Sequence, residues 1–203
     1  TCFLNRYVSY YANGAYTFNK RYTLSASFRK DASNLFGVKS NDRGQPFWSV
    51  GGAWLLTAEN FLKDGILSHL KLRATYGYNG NVNNTLTAYP VMAIQNEAHY
   101  LTGNNYAMMV APPNPKLRWE RVGNLNLGID FAAVSGRLSG SIEYYRKRPK
   151  DLIAPAQVDP TVGFTTLTVN SANLDTKGWD LSVRGVPLKA EQWQWNSDFI
   201  FSY

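Results

Sequence analysis

The chain has 203 residues, with 21 Lys and Arg against 14 Asp and Glu for a net charge of +7. Charged residues make up 17% and aromatics 14%, against a charged share of roughly 25% in ordinary soluble chains. No apolar run approaches the roughly 18 residues of a spanning helix, which excludes a helical membrane protein; the basic residues are dispersed without a recognition-helix pattern, so no nucleic-acid partner is expected, and the lone Cys2 cannot close an intrachain disulfide.

In chain order, the first element is a weak strand, roughly Leu4 to Phe18, followed by a short turn at Asn19 to Arg21. "YTLSASFR" then alternates strictly: Tyr22, Leu24, Ala26 and Phe28 against Thr23, Ser25, Ser27 and Arg29. A long gap (Lys30 to Gly44) precedes a second weak strand, roughly Phe47 to Leu56. "TAENFLKDGIL" reads as a short helical turn capped by Thr57. "LKLRATYGY" sets Leu70, Leu72, Ala74, Tyr76 and Tyr78 against Lys71, Arg73, Thr75 and Gly77. After a very long connection (Asn79 to Lys116), "NLNLGIDFAAVSGRLSGSIEYY" is a hairpin broken at Ala133 to Gly136. Another long connection (Arg146 to Ser171) leads to "WDLSVRG", and a short one (Val186 to Gln192) to "WQWNSDFIFSY".

The spacing predicts an all-β, antiparallel up-and-down transmembrane barrel segment of about eight strands. Several runs last nine or more residues, near the 9–11 needed to cross a bilayer at a tilt. The apolar register of the six clear strands holds no Asp, Glu, Lys or Arg, whereas the other holds Arg29, Lys71, Arg73, Asp130, Glu143 and Arg184. A Lys or Arg on a lipid face at mid-depth costs roughly 2–4 kcal/mol, which accounts for that segregation. Large aromatics near the ends of the runs (Tyr76, Tyr78, Phe131, Tyr144, Tyr145, Trp179, Trp193 and Trp195) read as interfacial girdles. Long and short connections alternate strictly, so all the long ones fall at one end of the sheet. A soluble surface or secreted β-sandwich acting as a glycan-binding module is the competing class, since alternation alone serves both.

"YTLSASFRKDASNLFG", "LKLRATYGYNGN", "NPKLRWERVGNLNLGIDFAAVSGRLSGSIEYYRKRPKDLI" and "LDTKGWDLSV" together resemble the barrel of SusC/RagA-type TonB-linked outer-membrane receptors. The blocks span nearly the whole chain in the right order, with one departure at Ala32 and Leu35, where members commonly carry Gly and Arg. The resemblance implies a Gram-negative outer-membrane location and a large barrel closed by an N-terminal plug. It also implies a SusD-like lipoprotein lid, coupling to the TonB complex, and import of glycans or peptides. Residues 1–203 are read as part of the barrel domain, an arc of its C-terminal wall in contact with outer-membrane lipid; nothing in them resembles the plug or the energy-coupling box.

Enzyme signatures are absent: no H-E-x-x-H, G-x-S-x-G, phosphate-binding loop or Cys/His cluster occurs, and no catalytic, cofactor or metal residue is expected. His69 and His99 stand far apart, and "SNDRG" (Ser40 to Gly44) lacks Ca²⁺-loop spacing. Asn83-Asn84-Thr85 fits a glycosylation acceptor, which carries no meaning in a bacterial chain. Ligand contact is expected from the loop without clear regular structure, through Tyr89, His99, Tyr100, Asn104, Asn105 and Tyr106, because aromatic faces beside amides suit sugar rings. "PPNP" (Pro112 to Pro115) returns that loop stiffly to the wall. "RKRPK" (Arg146 to Lys150) is either a solvated basic loop or a contact for lipopolysaccharide phosphates.

Overall fold

The computed structural model describes residues 6–34, 44–62, 65–81, 86–190 and 193–203. Cys2, Leu35, residues 40–43 of "SNDRG" and the Asn83-Asn84-Thr85 sequon lie outside them. The strands in chain order are β1 (Tyr7–Phe18), β2 (Tyr22–Ser33), β3 (Gly44–Leu55), β4 (Leu67–Asn81), β5 (Val91–Ile94) and β6 (Ala107–Ala111). They continue with β7 (Glu120–Ala133), β8 (Leu138–Lys150), β9 (Leu152–Gln157), β10 (Thr166–Ala172), β11 (Thr176–Lys189) and β12 (Gln194–Ser202).

Eight of these form one antiparallel sheet in the order β1-β2-β3-β4-β7-β8-β11-β12, a meander without crossovers. Among the described residues β1 and β12 do not pair with each other, so the sheet is an open arc. The remaining four strands make two small hairpins, β5–β6 and β9–β10, set within the two longest connections. The ligand-contact loop therefore contains regular structure that its sequence conceals: the pairing segments "VMAI" and "AMMVA" are apolar throughout, with no alternation to announce them.

Register decides the two faces. Phe18, Tyr22, Trp54, Leu72, Ile129, Ile142, Leu181 and Phe201 oppose one another pair by pair across all eight wall strands. One residue over, Thr17, Thr23, Ala53, Arg73, Gly128, Glu143, Asp180 and Ser202 form the adjacent row. Because side chains alternate along a strand, these rows lie on opposite faces. A sandwich core would bury the apolar row, yet Leu24 is 61% exposed, Leu127 42% and Ile129 39%. No second sheet stacks on them among the described residues. The soluble-sandwich alternative fails on that observation, and the apolar face is left for lipid.

The short connections are tight. Asn19 and Lys20 both take positive φ (49° and 55°), and the Arg21 amide donates to the Phe18 carbonyl, a turn whose twist matches the strands it joins. The segment after β3 folds as two 3-10 turns, Leu56–Ala58 and Asn60–Leu62. The expected Thr57 cap is not formed: Leu55 occupies the cap position without a side-chain bond, and the Thr57 hydroxyl instead accepts from the Leu70 amide at 3.5 Å. Glu59 ties this turn down, accepting from Tyr22 Oη (2.7 Å), Trp54 Nε1 (3.3 Å) and Arg21 Nη1 (3.0 Å).

Two further expectations are corrected. Arg146–Lys150 is not a loop; β8 runs through it to Lys150, paired with Arg121–Leu125 of β7. Tyr145 is not in an apolar girdle, since its parity places it on the polar register with Glu143 and Lys147, whose ammonium sits 5.3 Å from its ring centroid. Tyr144 and Trp179, with centroids 4.9 Å apart, carry the apolar face there.

Candidate functional site

Two places on the arc gather chemistry. On the polar face, Arg73 of β4 reaches across Gly128 of β7 to two carboxylates. Its Nε and Nη2 donate to Asp130 at 2.7 and 2.9 Å, and Nη2 also donates to Glu143 Oε1 at 2.8 Å. A Cβ at Gly128 would stand 3.0 Å from the guanidinium, so the absent side chain is what lets Arg73 lie flat across the ladder. Asn126 Nδ2 donates to the other Glu143 oxygen at 3.2 Å. Lys71 is the cross-strand partner of Asp130. Arg184 pairs with Asp198 at 2.6 Å, and Arg29 with Asp31 at 2.7 Å. All six basic and acidic residues expected on this register share it, and three of them meet in one cluster.

At the end of the arc with the long connections, the two loop hairpins stand on a polar knot. Asn114 of "PPNP" is buried; its amide donates to the Ala88 carbonyl and its side chain to the Thr168 carbonyl (2.7 Å), joining one hairpin's stem to the other. Asn170 both accepts from the Arg118 amide and donates to the Arg118 and Asp151 carbonyls. Asp151, held at positive φ (58°), accepts from Arg118 and Arg121 side chains, which keep its carboxyl below the usual carboxylate range. Glu120 bridges Asn81 Nδ2 and the Ile153 amide. A small apolar plug of Leu86, Ala88, Leu117 and Ile153 fills the space beneath. None of these ties was read from the sequence; Asn114 between prolines and Asp151 after the basic run were the available signals.

The β5–β6 tip carries five of the six residues expected to contact ligand, all but Tyr89. His99 stacks on Tyr100 (centroids 5.1 Å) and meets Tyr106 edge-on (5.3 Å), while the His99 amide donates to the Asn104 carbonyl. Tyr100 is 87% exposed. Tyr89 lies instead at the foot of the hairpin, two residues before β5, with its amide donating to the Thr87 hydroxyl. A cleft of about 610 Å³ opens between the two hairpins, lined by Val91, Val110, Asn114, Phe164, Thr166 and Thr168. Exposed aromatic faces at the tip, and a cleft with hydroxyl and amide groups at the stem, can each hold an amphipathic ligand such as a sugar or peptide.

Asp175, just ahead of β11, takes a hydrogen bond from Arg146 Nε (2.9 Å) that pulls its carboxyl down to about 2. With a depressed folded value, the pair's contribution is intact above the ordinary carboxylate pKa and is lost as pH falls through about 2. Acid titration of the Asp175 carboxyl by NMR is expected to show that low midpoint, and Arg146→Gln to raise it.

Residues 4–203 match the family described as TonB dependent receptor-like, beta-barrel. Over 196 residues the chain is 31% identical to TonB-dependent receptor P39 of Formosa agariphila, covering 96% of this chain and 18% of that protein. Over 206 residues it is 30% identical to TonB-dependent receptor SusC of Bacteroides thetaiotaomicron, covering 98% and 20%. Its fold superposes on a RagAB peptide importer structure in the closed-closed state with a TM-score of 0.86 and 27% identity, over 97% of this chain and 21% of that one. The chain thus spans about a fifth of the length of these relatives. The family resides in the Gram-negative outer membrane, and the apolar rows of this chain are exposed. The chain belongs to the TonB-dependent receptor family, as a SusC/RagA-type stretch of its β-barrel.

Proposed function

We propose that residues 1–203 form an arc of the barrel wall, and part of the outer loop platform, of an importer energised through the TonB complex and capped by a SusD-like lipoprotein lid. Its cargo is a glycan or a peptide, and the chain itself has no catalytic role. The observation that carries the reading is the division of one open sheet into an apolar face without a covering layer and a polar face of paired charges, with an aromatic-tipped hairpin at the long-loop end. The likeness to the RagAB peptide importer supports the peptide class; the ring-and-amide chemistry of the tip supports sugars equally.

In this reading Arg29, Lys71, Arg73, Asp130, Glu143 and Arg184 face the lumen, where they hold the plug or order lumen water. Tyr89, His99, Tyr100, Asn104 and Tyr106 contact cargo or the lid. Exchanging Tyr100 and Tyr106 together for Ala in the full-length receptor is expected to weaken cargo binding about tenfold, the size of losing one aromatic anchor. Calorimetry against oligosaccharide and peptide panels measures it; unchanged affinity for every ligand that binds the parent receptor removes these side chains from the site.

A further inference from the structure

The apolar register of β8 does not stop where its hydrophobic residues stop. Leu138, Gly140, Ile142 and Tyr144 are followed on the same side by Arg146, Arg148 and Lys150. Their ladder neighbours are outward as well: Leu125 opposes Arg146 and Tyr76, Gly123 opposes Arg148 and Tyr78, and Lys177 opposes Arg146 from β11. Arg146, Arg148 and Lys150 line a notch of about 130 Å³ together with Tyr76 and Tyr78, whose hydroxyls lie 2.9 Å apart. Gly123 keeps the notch open, since a Cβ there would come within 3.2 Å of the Tyr78 ring. Next to it, towards the short-turn end, the same face holds an apolar depression of about 780 Å³, walled by Leu24, Leu127, Tyr144 and Trp179 over a floor of Gly52 and Ala74.

A solvated basic loop would scatter its charges to both sides of the chain. Here the strand's alternation puts three cations on the lipid-facing side, beside an aromatic cluster in which Trp48, Tyr76 and Tyr78 have centroids 5.6–5.8 Å apart. Aromatic residues of that kind mark the membrane–water boundary, so the cations stand at headgroup height. Asp175 offsets one charge, bonded to Arg146 and 3.4 Å from Arg148. With Lys177 included, the patch keeps a surplus of three positive charges.

We propose that this patch is a docking site for a phosphorylated, multi-chain outer-leaflet glycolipid. Its phosphates sit on Arg146, Arg148 and Lys150 with the tyrosine hydroxyls as further donors, and its acyl chains lie in the depression floored by Gly52 and Ala74. Guanidinium pairs match phosphate oxygens through charge-assisted hydrogen bonds, and charge complementarity with acyl-chain space on one continuous face selects this occupant. The inference rests on the outer-membrane barrel reading.

Native mass spectrometry of the full-length receptor with bisphosphorylated lipid A and with its dephosphorylated form is the test. Preferential retention of the phosphorylated lipid is expected, falling about tenfold or more in the Arg146→Gln, Arg148→Gln, Lys150→Gln variant. Asp175→Asn, which releases both guanidiniums, is expected to raise retention severalfold and keeps the question open to refutation if the triple variant fails to assemble. Heat-modified electrophoretic mobility reports assembly of each variant. Equal retention of both lipids by an assembled receptor, or displacement of lipid by a second copy of the receptor, overturns the docking site while leaving the barrel intact. A receptor lacking heat-modified mobility would instead count against the barrel.

Discussion

Ile129→Lys in the full-length receptor is expected to destabilise the barrel by about 2–4 kcal/mol, and Ser141→Lys by much less. Ile129 lies in the middle of the apolar row, flanked by Leu72 and Ile142. An ammonium there is placed in hydrocarbon, with its neighbours' aliphatic side chains offering no hydrogen-bond acceptor, and relief comes only from snorkelling or local thinning. Ser141 is one ladder step away on β8 but on the opposite face, across from Asp130, where a cation gains a carboxylate neighbour. Denaturant titration of the reconstituted receptor, followed by tryptophan emission and electrophoretic mobility, measures both. Comparable losses for the two variants would mean that the faces are not solvated differently, and the lipid assignment would be lost.

The second large effect concerns Arg73. Replacing it with Met removes three hydrogen bonds at once and leaves Asp130 and Glu143 facing each other without their shared cation. All three side chains retain 30% of their exposure, so water screens part of the loss, and a cost of about 2–3 kcal/mol is expected rather than the full penalty of a buried orphan charge. Adding Asp130→Asn and Glu143→Gln to Arg73→Met is expected to recover much of it, because the repulsion goes with the charges. A double-mutant cycle in the same unfolding assay separates the terms. If the triple variant is no more stable than Arg73→Met alone, the cluster is not what holds this part of the wall. Gly128→Val should mimic Arg73→Met in direction, since its side chain would occupy the guanidinium's place.

Much of the wall was legible because a period of two is a local property. "LKLRATYGY" and "NLNLGIDF" declare their faces without reference to any neighbour, and Leu72 and Ile129 did fall opposite each other. The limits of β8 were not legible in the same way. Its apolar residues give way to Arg146, Arg148 and Lys150, a change of composition that suggests a loop although the strand runs on unbroken to Lys150. The ligand-contact loop shows the complementary failure. "VMAI" and "AMMVA" pair above a stem closed by the bond from the Asn114 amide to the Ala88 carbonyl, and the Asn114 side chain ties that stem to Thr168, 54 positions away.

By itself the sequence determined the strand class, the two chemically distinct faces, the alternation of long and short connections and the family, because each depends on residue type at fixed local spacing. Tertiary structure decided which side chains meet: that Gly128 leaves room for Arg73 between two carboxylates, that His99, Tyr100, Asn104 and Tyr106 converge at the tip while Tyr89 stays at the foot, and that the basic run stands outward beside Tyr76 and Tyr78. Those outcomes hang on cross-strand register and on loop closure, which are set by the sum of pairings along the whole sheet and by no single segment.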